Sequence, residues 1–276
     1  MFLGYNTNGF AHHRLDDVIS ILADLGYGGV ALTVDVQHLD PFAPQVFRRI
    51  ADVRNQLERQ RMKCAIETGA RFLLDPVRKH QPTLLSSVAS ERNIRLDFLK
   101  RCIAIAVDLN AGCVSFWSGT ANNAASHEEL MHRLVDGCQQ LIEQVEGTNV
   151  VLAFEPEPGM FIDTMDKFSE LHGRVNHPLF GLTCDIGHLV CNGEIPVSKC
   201  LVEWKDILWN VHIEDMRKDI HDHLMIGEGE VDFEDVISGL RRANYSGGAY
   251  VELSRHSYDA VESARKAKTL LERYIV

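Results

Sequence analysis

The chain has 276 residues and is notable first for what it lacks. No apolar run approaches the roughly 20 residues that a membrane-spanning helix requires, so no membrane partner is expected. The opening "MFLGYNTNGF" has neither the basic start nor the long apolar stretch of a signal peptide. Seven cysteines, an odd number, are scattered with no CxxC pair. They are read as reduced thiols of a cytoplasmic protein. No basic run or stripe is present, and 28 basic against 39 acidic side chains leave a net charge of −11. A grip on nucleic-acid phosphates is therefore not expected. Low-complexity segments and linkers are also missing.

What is present is alternation. Eight short β-type runs occur at 2–7, 29–34, 63–68, 113–118, 150–156, 179–185, 208–214 and 249–253. Longer amphipathic segments separate them. Leu15, Val18, Ile19, Leu22 and Leu25 recur at helical spacing, and Gly26 supplies a stop. "HEELMHRLVDGCQQLIEQVEG" and the C-terminal "SYDAVESARKAKTLLERYIV" repeat the pattern. Eight strand–helix units predict an α/β fold, a single (β/α)8 TIM barrel over residues 1–276. An open doubly wound sheet is the alternative, but no GxGxxG follows the first strand. Residues 69–90 are too long for a tight βα turn, and such loops are often lids; this one is expected to fold over the barrel mouth.

In a barrel, the C-terminal strand ends converge on one mouth, where chemistry sits. The last four strands end near Glu155, Asp185, His212 and Glu252. Any one of these could simply cap the following helix or decorate the surface. All four on consecutive strand ends point instead to a metal. Three carboxylates facing one another resist ionising, and a divalent cation removes that difficulty. Three oxygens and one nitrogen suit Mn²⁺ first, with Mg²⁺, Co²⁺ or Zn²⁺ as alternatives. One such ion is expected.

Together with His188 in the run "CDIGH", these residues resemble the xylose-isomerase-like barrels. That group includes ketose 3-epimerases, hydroxypyruvate isomerases, inosose dehydratases and apurinic endonucleases. In the epimerases, the residues matching Glu155, Asp185, His212 and Glu252 hold one divalent metal, and the two glutamates also move protons. The resemblance implies that His188 contacts substrate, as does an arginine for which Arg217 is the candidate, at a spacing about one residue shorter. The epimerases carry a substrate-binding glutamate where this chain has Phe161; Glu157 is the nearest replacement.

Further residues are candidates for substrate contact. Glu67 and Arg71, at and after the third strand, offer a carboxylate and a guanidinium for sugar hydroxyls or an acidic group. Trp117 could stack on a sugar face. His38 follows the second strand. His223, and less so His221, precede the Gly-rich turn "IGEGE". Each has an ordinary alternative as a cap, surface ion pair or packing residue. His12 and His13 are read as loop residues.

A divalent ion chelating a hydroxyl and the adjacent carbonyl acidifies the neighbouring C–H. A carboxylate can take that proton to give a metal-stabilised cis-enediolate, and the place where a proton returns decides the product. The expected function is thus a metal-dependent sugar isomerase or epimerase with Glu155 and Glu252 as the acid/base pair. The alternative is a lyase dehydrating a keto-sugar or keto-inositol, and a remoter one is an apurinic endonuclease. The expected partner is a small carbohydrate, with self-association into a homo-oligomer allowed. No phosphate cradle is evident, which favours an unphosphorylated substrate or an acid.

Overall fold

A computed structural model describes residues 1–121 and 124–275. The strands in chain order are β1 (Phe2–Asn6), β2 (Gly29–Thr33), β3 (Lys63–Glu67), β4 (Cys113–Phe116), β5 (Val151–Phe154), β6 (Phe180–Asp185), β7 (Leu208–Ile213), β8 (Asp215–Arg217), β9 (Ile220–Leu224) and β10 (Gly248–Val251). Eight of them close into one parallel barrel in the order β1-β10-β7-β6-β5-β4-β3-β2. The expected strands are all present, within about two residues of their expected ends. The added feature is an antiparallel hairpin of β8 and β9 above β7.

The helices wrap the barrel: α1 (Leu15–Asp24), α2 (Val46–Gln60), α3 (Ala89–Asp108), α4 (His127–Val145), α5 (Met165–Val175), α6 (Ile186–Cys191), α7 (Val197–Glu203), α8 (Phe233–Arg242) and α9 (Ala260–Ile275). Local chemistry sets several ends. Gly26 stops α1 at φ 80°, a left-handed conformation that glycine adopts without penalty. The side chains of Ser126, Thr164 and Asp232 cap α4, α5 and α8. No described helix is long and apolar enough to cross a membrane. All seven cysteines are buried and free.

Strand alternation positions the site. Outward residues such as Cys64, Ile66, Leu152, Phe154, Val211 and Ile213 join the core between sheet and helices. Inward residues fill the barrel. Deep inside, Ala31, Ala65, Cys113 and Ala153 surround the Tyr250 ring. Gly4 pairs in register with Tyr250, and a Cβ on it would lie 2.2 Å from that ring. One period further up, the inward positions turn polar on every strand: Asn6, Thr33, Glu67, Ser115, Glu155, Asp185, His212 and Glu252. A two-residue period thus converts eight separate strand ends into one ring.

The long β3–α3 connection divides its work. Gly69, Arg71, Phe72, Lys79 and His80 line the mouth. Leu84 and Leu85 are buried in the core instead, with Leu84 against Gly137 of α4. Only the first half of this segment borders the mouth; the second is an anchor.

Candidate active site

The ring closes on His212. Its Nδ1 lies 3.0 Å from Glu155 Oε1, 3.0 Å from Glu252 Oε2 and 3.8 Å from Asp185 Oδ2. One donor atom from each of the four residues falls within a 4.8 Å group. Two ligands at right angles around an ion about 2.1 Å from each lie about 3.0 Å apart, so the spacing suits a divalent cation.

Each donor is held from behind. Glu67 Oε1 is 2.9 Å from His212 Nε2 and also accepts from Asn210 Nδ2 at 3.0 Å. A ring that donates Nε2–H to Glu67 would present its Nδ1 lone pair to an ion held among the three carboxylates. Metal-bound histidines are typically fixed in this way. Asn8 and Asn6 donate to the two oxygens of Glu252 at 2.7 and 3.3 Å. Asp185 does two jobs. Its Oδ1 accepts from His188 N and caps α6, whereas its Oδ2 is buried with no hydrogen-bond partner. The capping reading of Asp185 is therefore correct for one oxygen and leaves the other aimed at the site.

Electrostatics supports a cation here. Burial, reinforced by Glu252 and Asp185, pushes the Glu155 carboxyl up to about 8 despite His212. Burial opposes charge on His212, yet Glu67, Glu155 and Glu252 outweigh it and raise its proton affinity well above normal. Three buried carboxylates, one of them with an orphaned oxygen, gather around a single imidazole nitrogen, and a divalent ion would answer their negative charge.

Above the ring lies a cavity of about 640 Å³, within the range of small-molecule sites. Glu67, Arg71, Trp117, His188 and His223 all line it. Two expected residues do not. Arg217 points outward on β8 and donates to Glu228 O at 2.8 Å. In the hairpin, Asp215 and Met216 are buried and Arg217, at the end of β8, is exposed. Arg255 lines the cavity and is paired with Asp222 at 2.7 Å. His38 faces a smaller neighbouring cavity, with Nε2 3.3 Å from Phe10 O. Phe161 packs on His127, and Glu157 reaches the cavity instead. Burial and the nearby Glu155 raise the Glu157 carboxyl well above its ordinary range.

A second group was not resolved by the one-ion expectation. His188, His221 and His223 bring ring nitrogens within 4.8 Å of one another and could hold a cation of their own. His188 Nδ1 is 3.1 Å from Pro156 O, which leaves Nε2 facing His221 Nε2 at 3.1 Å. Asn6, Asn8, Asn210 and Lys79 went unnoticed in the sequence, whereas His80, expected beside Arg71 on the long loop, lines the cavity. Asn6 alone had a signal, as the polar end of the first strand.

The family model for xylose isomerase-like TIM barrels matches residues 19–274. The chain belongs to that family. Among curated proteins, this xylose isomerase-like chain is similar to an inosose dehydratase of Clostridium beijerinckii, 26% identical over 165 residues. The match covers 53% of this chain and 55% of the dehydratase, so it spans about half the length of that relative. It is also similar to the L-ribulose-5-phosphate 3-epimerase UlaE of Escherichia coli, 24% identical over 205 residues, covering 74% of this chain and 72% of the epimerase. A crystal structure of the IolI protein with a bound zinc atom has the same fold, at a TM-score of 0.79 and 18% identity, covering 100% of this chain and 98% of that one. The two curated relatives of the xylose isomerase-like chain are enzymes, a dehydratase and an epimerase.

Proposed function

We propose that the protein is a divalent-metal-dependent epimerase or isomerase of a small keto-sugar. One observation carries the reading. Glu155 and Glu252 stand on either side of His212 in the barrel order, each 3.0 Å from Nδ1, at the floor of a cavity sized for a sugar. Glu155, Asp185, His212 and Glu252 would hold the ion, with Mn²⁺ the first choice. When bound, it supplies polarisation of the substrate carbonyl, which acidifies the adjacent C–H.

The remaining work falls to side chains. One of Glu155 and Glu252 removes the proton from carbon, and the other returns a proton to the same or the neighbouring carbon. Asn6 and Asn8 keep Glu252 from rotating out of reach. Trp117 offers an apolar face for the sugar, and His188 a ring nitrogen for a hydroxyl. No nucleic-acid or membrane partner is part of this reading.

The match to a dehydratase favours a second reading, in which loss of a hydroxyl follows the same proton removal. The glutamate that took the proton would then give it to the leaving hydroxyl, which departs as water. Incubating metal-loaded protein with ketoses and keto-inositols in D₂O separates the outcomes. Deuterium at the carbon next to the carbonyl, with an epimer or isomer formed, supports the first reading. A dehydrated product supports the second. Absence of both exchange and product across the panel contradicts the proposal.

A further inference from the structure

The cavity has a wall whose positive charge goes unanswered. Arg95 on α3 is 4% exposed, and a buried arginine normally has a carboxylate partner. Among the described residues, its guanidinium donates only to carbonyls, to Pro82 O at 2.8 Å and to His80 O at 2.7 Å. It lies over the Trp117 ring at 5.1 Å from the centroid. Trp117, His80, Lys79 and Arg71 all line the cavity. The backbone ties them together: His80 N donates to Arg71 O at 2.7 Å, pinching the connection so that Arg71, Lys79 and His80 emerge side by side.

Among the described residues, neither the Arg71 guanidinium nor the Lys79 ammonium forms an ion pair or hydrogen bond. Neighbouring cations behave otherwise: Arg78 is paired with Asp75 and Glu91, and Arg255 with Asp222. The crowding is felt by His80, which burial, then Lys79, Arg95 and Arg71, push down to about 4. Its ring therefore stays neutral and adds no charge of its own. In a chain of net charge −11, three cations converge on one wall, and the Asp35 carboxylate beside them meets the Arg71 backbone N at 3.4 Å rather than its guanidinium. The metal-binding carboxylates belong to the barrel floor and answer the cation they would hold.

We infer that Arg71 and Lys79, backed by the buried Arg95–Trp117 stack, form a subsite for an anionic group at the end of the substrate remote from the reacting carbons. The group is a phosphate ester or a carboxylate, whose oxygens match a guanidinium and an ammonium. The low-dielectric wall behind them strengthens the attraction. This assignment rests on the sugar-epimerase reading and narrows its substrate to acidic keto-sugars.

Calorimetric titration of the metal-loaded protein tests it, with D-ribulose against D-ribulose 5-phosphate and D-fructose against D-fructuronate. One anionic ligand should bind at least about tenfold tighter than its neutral counterpart, the usual scale for a charged hydrogen bond. A gain confined to the first pair identifies a phosphate, and to the second a carboxylate. In the folded Arg71→Gln/Lys79→Gln variant, checked by circular dichroism, that ratio should fall to about twofold or less. Equal binding within both pairs overturns the subsite, as does an advantage that survives the double substitution. The ratio needs no turnover. A protein that binds the anion through Arg71 and Lys79 but exchanges no hydrogen would keep the subsite and refute the epimerase reading.

Discussion

Glu67 Oε1 stands 2.9 Å from His212 Nε2, on the opposite side of the ring from Glu155 and Glu252. The carboxylate thus aims an imidazole that projects from a strand across the barrel. Glu67→Ala should weaken metal binding by about 10–100-fold, as loss of such supporting partners typically does. Competition with a chelator of known affinity measures this. Unchanged metal affinity with weaker sugar binding would return Glu67 to a purely substrate-contacting role.

Asn8 is placed to hold Glu252 through a 2.7 Å hydrogen bond. Asn8→Ala leaves all four metal ligands in the chain and frees one carboxylate oxygen. Hydrogen exchange on substrate should slow by about tenfold, a share of the 10²–10⁴ that a positioned acid or base contributes. Metal content by mass spectrometry should stay near the wild-type value.

The proton carriers themselves give larger effects. Glu155→Gln and Glu252→Gln should each cost at least about 10²-fold in substrate hydrogen exchange. Both residues are also candidate ligands, so the comparison belongs to variants reloaded with metal and assayed for content. Exchange retained in a metal-loaded double variant would remove both from the chemistry.

Stability offers a check on the fold that needs no substrate. Gly4→Ala would bring a Cβ to 2.2 Å from the Tyr250 ring in the closed interior of the barrel. Overpacking of this kind typically costs about 1–3 kcal/mol. Denaturant unfolding should show a lower midpoint with an unchanged slope.

The barrel was legible because strand and helix periods alternate cleanly, and because inward residues recur every second position. The same period exposed Glu155, Asp185, His212 and Glu252, whose acidic or imidazole side chains end otherwise apolar runs. Contacts between distant strands were not legible. Glu67 and His212 are separated by 145 positions, and nothing near either one names the other. The β8–β9 hairpin was hidden because its segment, "DMRKDIHDHL", is too polar to show strand alternation. Arg217, at the end of the hidden β8, is exposed. Lys79 and Arg95 lack any motif; only the fold of the β3–α3 connection joins them on one wall.

The metal site is the centre of the account, and anomalous scattering from a crystal grown with Mn²⁺ tests it most directly. A single principal peak is predicted among Glu155, Asp185 Oδ2, His212 Nδ1 and Glu252, within about 2.0–2.3 Å of the donor atoms. A principal peak among His188, His221 and His223 with the four-residue group vacant would contradict it.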